Sequence, residues 1–232
     1  MDLFYLAELS QTTGDLLFSK EESKHINKVL RKKQGERVWA TNGKGLETTI
    51  ELTVVGTNRV NGKIVGHKEH SPLPYQLHIA IAPTKNNSRL EWFLEKATEI
   101  GIHQITPLLC KHSERKTIKH ERLEKIILAA LKQSQQFYLP KLNPLTTFDS
   151  FVQENSNGMI AHCREGNKAS LFSQITRNGN HTILIGPEGD FSEEEISLAL
   201  SNNYQEIGLG KQRLRTETAA IVACHTVALK AE

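Results

Sequence analysis

The stretch "TILIGPEGDFSEEEIS", Thr182 to Ser197, runs from an apolar strand directly into a helix start. Thr182-Ile183-Leu184-Ile185 suits a buried strand. Ser192 is a good N-cap, and Glu195 three positions on predicts a capping box. Phe191 and Ile196 are spaced for a hydrophobic staple across the same terminus. Between strand and helix lies Gly186-Pro187-Glu188-Gly189-Asp190. Because the helix is capped by its own residues, the glycines are left for another purpose. They allow positive φ, or an approach of main chain to a ligand that a Cβ would obstruct. A tight strand-to-helix turn with no ligand is the alternative.

Outward from this turn, the flanking chain alternates strand and helix. Gln76–Ala82 alternates as a strand, and Arg89–Ile100 places Leu90, Phe93, Leu94, Ala97 and Ile100 on one helical face, stopped by Gly101. Ile105–Leu109 reads as a strand and His120–Phe137 as a helix with Leu123, Ile126, Ile127, Ala130 and Leu131 inward. Met159–His162 and Gln205–Leu209 add strands, and Thr216–Leu229 is an apolar closing helix. Such alternation predicts an α/β fold with a parallel sheet under helices, whose ligands bind beyond the carboxyl ends of the strands. Gly186–Asp190 and Gly208–Gly210 both lie at such ends.

The first 70 residues read differently. Short strands near Leu3–Leu6, Arg37–Thr41, Thr48–Val55 and Gly62–Val65 are divided by Asn42-Gly43 and Asn61-Gly62. One helix interrupts them: Ser19-Lys20-Glu21-Glu22 is a capping box, and His25, Ile26, Val29 and Leu30 follow on one face. Ser71-Pro72-Leu73-Pro74 is a linker signal, so the expected domains are 1–70, a small β-barrel, and 75–232.

At 232 residues with 38% hydrophobic content, the chain can bury a substantial core and carries no run long enough to cross a bilayer. Met1-Asp2 does not open a signal-peptide layout, and Cys110, Cys163 and Cys224 are scattered and odd in number. Both features predict a reducing, cytoplasmic setting. The net charge of +3 says little about partners, but its distribution says more. Lys24–Arg37 holds six basic residues against the single acid Glu36, and Lys111–Lys125 holds six more among three acids. Clustered cations of this kind suit a phosphate backbone, although a solvated helix face gives the same pattern.

Several chemistries are excluded by their missing signatures. Gly208-Leu209-Gly210-Lys211-Gln212-Arg213 lacks the third glycine of a dinucleotide fingerprint, and neither a P-loop nor a G-x-S-x-G elbow occurs. His67 and His70 lack a third ligand, so no metal is expected. What remains is the pair of glycine turns and Leu214-Arg215-Thr216-Glu217-Thr218-Ala219-Ala220 opening the last helix. Thr216 is placed to cap that helix, and Glu217 sits in its first turn, where the dipole favours an acid. Two readings fit: a capped helix with a solvent arginine, or a pocket floored by main chain from three loops, with one cation and one carboxylate at its edge.

"LIGPEGDFSEEE" with "LGKQRLRTETAAIVA" resembles the paired motifs of the RsmE family, bacterial 16S ribosomal RNA uridine-N3 methyltransferases of the SPOUT superfamily. The likeness continues through "KNNSRLEWFLEKATEIGI", "SERKTIKHERLEKIILAALKQSQQFYLP" and "SKHINKVLRKKQGE", in order along nearly the whole chain. Two departures stand out: Asp190 where the family commonly has a glycine, and Gln136 where it often has an arginine.

The resemblance implies a PUA-like domain for RNA and a SPOUT methyltransferase domain with a C-terminal trefoil knot. It also implies S-adenosylmethionine as methyl donor, a homodimer, and small-subunit ribosomal RNA as substrate, within the assembled 30S subunit. The residues expected at the cofactor are Ile185, Gly186, Pro187, Glu188, Gly189, Leu209, Gly210, Leu214, Arg215, Thr216, Thr218 and Ala219. Arg215 is the expected cation for a uridinate. Glu217 either takes the N3 proton or orients Arg215, and the orienting role is preferred because the helix dipole favours the ionised carboxylate. Arg115 is a second cation, reaching toward a partner subunit. Arg31, Lys32 and Lys33 on the first-domain helix, with Lys85 and Arg89, are the expected phosphate contacts. The alternatives are a non-catalytic RNA-binding ribosome-assembly factor and a SPOUT enzyme with another RNA target.

Overall fold

The computed structural model describes residues 2–12 and 14–232; Met1 and Thr13 lie outside the described residues. Two compact units emerge, Met1–Pro72 with Leu131–Leu139, and Leu73–Ala130 with Pro140–Glu232.

The first unit contains β1 (Leu3–Tyr5), β2 (Asp15–Leu17), α1 (Lys20–Lys24), β3 (Arg37–Thr41), β4 (Leu46–Val55) and β5 (Val60–Glu69). Its mixed sheet runs β1-β3-β4-β5-β2, parallel only between β1 and β3. Phe4, Phe18, Ile26, Val38, Ile50, Leu52 and Val60 form its core. Asn42-Gly43 makes the anticipated turn between β3 and β4, with Gly43 at φ 71° and the Asn42 side chain accepting from Lys44 N–H at 2.8 Å.

The capping box of Ser19 and Glu22 forms as expected, but the amphipathic helix it was expected to start is only five residues long. From His25 to Val29 the chain widens into a π-helical turn, and Arg31 at φ 54° ends it. Widening rotates the side chains off the α-helical face. Ile26 alone of the turn is buried, Leu30 is only partly so, and Val29 is 65% exposed. The basic residues 31–33 therefore lie in the turn after the helix rather than on it. Phe137 and Tyr138 join this unit over a long sequence separation. Phe137 stacks on His70 at 3.8 Å, and Tyr138 donates to His70 O.

The second unit contains β6 (Gln76–Ile81), α2 (Asn87–Ile100), β7 (Gln104–Leu109), α3 (His120–Ser134), β8 (Lys141–Leu142), β9 (Thr146–Thr147) and α4 (Phe148–Glu154). It continues with β10 (Met159–Ala161), β11 (Ala169–Ser170), α5 (Leu171–Gln174), β12 (Asn180–Ile185), α6 (Glu193–Ser201), β13 (Gln205–Gly208) and α7 (Thr216–Ala231). The sheet is parallel throughout, in the order β11-β13-β10-β12-β6-β7-β8, with β9 beside β7. Near-continuous apolar strands such as Ile79–Ile81 and Ile183–Ile185 are what a sheet covered on both faces requires. Gly101 stops α2 at φ 114°, and α6 carries the complete Ser192–Glu195 capping box. Phe191 and Ile196, the two residues of the staple, both enter the core with Phe148, Phe151, Leu184 and Tyr204.

Helix α7, apolar nearly all round, is expected to be buried in a core or a subunit interface. Within the subunit its buried residues are Thr216 and Glu217 in the first turn, Ala220, Ala223, Cys224 and Val227 along its middle, and Ala231 at its end. Leu229 is 52% exposed, so one apolar face of α7 has no cover within the subunit. Among the described residues, no helix is long and apolar enough to cross a membrane.

His78 on β6 bonds Thr106 Oγ1 at 2.7 Å and meets the Phe151 ring edge-on. Burial, aided by the Lys141 cation, pushes its pKa down from 6.5 to about 4. The folded state therefore holds His78 neutral where the unfolded chain protonates it. The resulting stability is fully present above pH 6.5 and is lost as pH falls toward about 4. Urea unfolding followed between these pH values is expected to lose roughly 2–3 kcal/mol to this group, and His78→Gln to flatten that slope.

Candidate active site

The parallel sheet sends the chain out of β10, β12 and β13 at one edge, and three loops meet there. Each turns for a physical reason. After β12, Pro187 starts a tight turn closed by Asp190 N–H donating to Pro187 O at 2.9 Å. After β13, Gly210 stands at φ 138°, and a Cβ built there would meet only open space. The same loop leads directly into α7, whose first residue, Thr216, donates its hydroxyl to Gly186 O at 3.0 Å, and the third loop is the one that leaves β10 at Cys163. Thr216 is thus not the cap of α7. Arg215 occupies the N-cap position with no side-chain cap bond, and the Thr216 hydroxyl is spent joining two loops.

Gly186 and Gly189 have no positive φ among the described glycines, so the reason for glycine there is close packing. A Cβ at Gly186 would press on the Phe191 ring at 3.1 Å, and one at Gly189 on His112 Cβ at 3.1 Å. The left-handed residue of this turn is instead Asp190, at φ 64°.

The loops enclose a cavity of about 580 Å³. Its apolar walls come from Ala161, Ile185, Ile207, Leu209, Leu214 and Ala219, and the rest of its lining is largely loop main chain and charged rim. That volume and mixture suit a nucleoside-sized ligand. Of the residues expected at a cofactor, all but Gly189 and Thr218 line it. The sequence reading missed the contribution of β10: Ala161, His162, Cys163 and Lys168 also line the cavity. No motif marks these residues, and only the placement of β10 between β12 and β13 brings them in. His162 is held by Glu206 at 2.9 Å, while Lys168 donates to the carbonyls of His162 and Arg164. Burial, with the Lys168 cation beside it, pulls the His162 pKa down despite Glu206, favouring the neutral ring.

Beside α7's first turn stands a charged cluster. Glu217 is buried; its Oε1 lies 3.7 Å from Arg89 Nε, and its Oε2 has no hydrogen-bond partner. Arg89 also faces Glu188 at 3.9 Å, and Glu188 accepts from Lys85 N–H at 3.1 Å. Arg115 donates to Thr84 O at 3.1 Å and to Lys85 O at 2.6 Å. Two expectations change. The ion pair of Glu217 is with Arg89, on α2, rather than with Arg215. Arg115 is anchored to its own chain at the end of β6 rather than extended.

Residues 71–228 match the family signature described as the RNA methyltransferase domain, and residues 18–65 match the RNA methyltransferase PUA domain. A Rickettsia conorii relative named Ribosomal RNA small subunit methyltransferase E is 30% identical over 98% of this chain and 94% of its own. The chain belongs to the RsmE family. A crystal structure of a probable rRNA-methyltransferase from Porphyromonas gingivalis is similar at TM-score 0.90, with 33% identity over 99% of both chains. A Neisseria gonorrhoeae Ribosomal RNA small subunit methyltransferase E, bound to S-adenosyl methionine, is similar at TM-score 0.85, with 26% identity over 97% of this chain and 95% of that one. The unit with β6–β13 is thus the SPOUT-type domain of an RsmE protein, and the mixed sheet its PUA domain.

Within the PUA domain, Arg31 and Lys33 are exposed, whereas Lys32 is drawn to Asp2 at 3.1 Å and Glu36 at 3.7 Å. In the methyltransferase domain, Lys85 is exposed and pairs with Glu114 at 2.8 Å, while Arg89 is half-buried in the acidic cluster.

The Thr216–Gly186 bond can be tested by itself. Thr216→Val is expected to cost about 1–3 kcal/mol in urea unfolding, because it removes a buried donor and strands a carbonyl. Thr216→Ser, which keeps the hydroxyl, is expected to recover most of that loss.

Proposed function

We propose that this RsmE-family protein transfers a methyl group from S-adenosylmethionine to N3 of a uridine in 16S ribosomal RNA. The observation that carries the reading is the cavity where three loops meet: apolar walls, main-chain turns and a volume of about 580 Å³ suit the cofactor that the gonococcal relative holds. The cofactor site comprises Ile185, Gly186, Pro187, Glu188, Leu209, Gly210, Leu214, Arg215, Thr216 and Ala219, with Gly189 and Thr218 outside the lining. Bound there, S-adenosylmethionine would supply an electrophilic methyl for in-line displacement.

The protein's task is then to present uracil N3 with its proton leaving and to stabilise the charge left on the ring. Arg215, exposed on the cavity lining, is the cation for the ring oxygens. Glu217 holds Arg89 on the neighbouring element, so that both cations face one site. Glu217 thereby keeps the orienting role, exercised on Arg89. Arg115 braces the end of β6, where Lys85 and Arg89 follow as phosphate contacts. Arg31, Lys32 and Lys33 extend the RNA contacts on the PUA domain.

The uncovered apolar face of α7 supports a homodimer, since Leu229 and the half-buried Ile221 and Val222 need a partner surface. The C-terminal trefoil knot belongs to the same reading. With 30S particles as substrate, the protein works in the cytoplasm.

Incubation with radiolabelled S-adenosylmethionine and 30S subunits from cells lacking the protein, followed by nucleoside mass mapping, is expected to yield 3-methyluridine in 16S RNA. Label in another nucleoside would point to a SPOUT enzyme with a different target. Absence of both label and cofactor binding would favour a non-catalytic assembly factor. Arg215→Ala is expected to lower turnover at saturating cofactor by at least about tenfold, or ~1.4 kcal/mol, and unchanged turnover would reject its role. Replacing Arg31 and Lys32 together is expected to flatten the salt dependence of RNA binding by about one unit of slope per lost phosphate contact.

A further inference from the structure

Asp190 occupies a position that most side chains avoid. Its φ is 64°, and Asp is among the few residues besides glycine that tolerate the left-handed region. Its carboxylate does not extend into solvent. Oδ2 accepts from Cys163 N–H at 2.9 Å, and Oδ1 accepts from Phe191 N–H at 2.9 Å. Its carbonyl lies 3.0 Å from His112 Nδ1, which donates to it as the Nδ1–H tautomer, and its own N–H closes the turn onto Pro187 O.

One residue therefore joins three strand exits. Cys163 follows β10, His112 follows β7, and Asp190 itself sits between β12 and α6. Asp190 and Cys163 both line the cavity. Glycine at 190 would take the same backbone conformation but would leave Cys163 N–H and Phe191 N–H without the carboxylate, and the loop after β10 tied to this turn only through the side chain of Arg164, which bonds Phe191 O at 3.4 Å and Glu193 at 2.6 Å.

We infer that Asp190 is a positioning residue for the cofactor, a carboxylate clamp holding the loop after β10 against the Gly186–Gly189 turn so that the cavity is formed before ligand enters. This rests on the reading that the cavity takes S-adenosylmethionine. Without the clamp, the closed cavity is only one of several loop arrangements, and apparent affinity falls by the fraction of molecules that are closed. Chemistry within the filled site is expected to be little changed, because both Asp190 carboxylate oxygens are already engaged by main-chain N–H groups.

The test uses the full chain and four proteins: wild type, Asp190→Gly, Asp190→Asn and Asp190→Ala. Titration calorimetry with S-adenosylmethionine, thermal unfolding, and KM and kcat on 30S subunits are measured for each. The expected result for Asp190→Gly is an S-adenosylmethionine Kd and KM raised about fivefold or more, with kcat within about twofold. Asn retains one carbonyl acceptor at the same φ and is expected to fall between Gly and wild type. Ala adds backbone strain and is expected to lower Tm as well. Wild-type affinity in both Gly and Asn variants would overturn the clamp while leaving the cofactor site standing. So would a Tm loss in the Gly variant with Kd unmoved, since that marks a purely structural role. Failure of the wild type to bind S-adenosylmethionine would instead remove the cofactor reading, and the clamp with it.

Discussion

In a parallel sheet every strand delivers its carboxyl end to the same edge, and in this chain that constraint decides where chemistry can occur. β10 lies between β12 and β13 and pairs with both, so the three exits stand side by side although they lie far apart in sequence. Short loops at such exits must expose main chain, and neighbouring strands supply apolar residues as walls. The hydroxyl of Thr216 then fixes the start of α7 to Gly186 O, adding a third side to the cavity. A site built in this way depends on the sheet register more than on any single side chain.

That dependence explains which parts of the structure were legible in sequence. The strand–turn–helix of Thr182–Ser197 was readable because its signals are local: an apolar run, a glycine turn and a capping box of adjacent residues. The parallel class followed from alternation, and most of the cavity lining from the two glycine turns. The β10 contribution was not readable, since Ala161, His162, Cys163 and Lys168 carry no pattern and enter through strand order. Helix α4, "FDSFVQE", is too short for periodicity to separate it from a strand. The π-helical turn of His25–Val29 was missed because its sequence satisfies an α-helical face equally well. Phe137 and Tyr138 fold back on His70 across more than sixty residues, which no local rule anticipates. Family likeness supplied what local physics lacked, namely the donor and the RNA.

Glycine is a weaker guide to ligands than it first seems. Gly186 and Gly189 were candidates for ligand approach, yet the atoms that forbid a Cβ there belong to Phe191 and His112. They serve the cavity indirectly, by letting the turn pack against the core. Gly210, with open space where its Cβ would stand, is the one whose bareness faces outward at a cavity-lining position.

The division of labour between bed and rim follows from electrostatics. A sulfonium donor and its adenine need apolar contact and neutral main-chain dipoles. Charged groups buried beneath them would carry a desolvation cost of several kcal/mol each. The chain keeps those groups at the margin: Arg215 on the exposed lip, and Arg89 between Glu188 and Glu217 next to the first turn of α7. There Glu217 lies 3.7 Å from Arg89 and holds it in place. Yet Glu217 Oε2 is buried without a partner, an arrangement that costs about 1–3 kcal/mol in an isolated subunit. A buried acceptor of this kind is stable only if something completes it, and among the described residues the Glu217 carboxylate reaches only Arg89, at 3.7 Å.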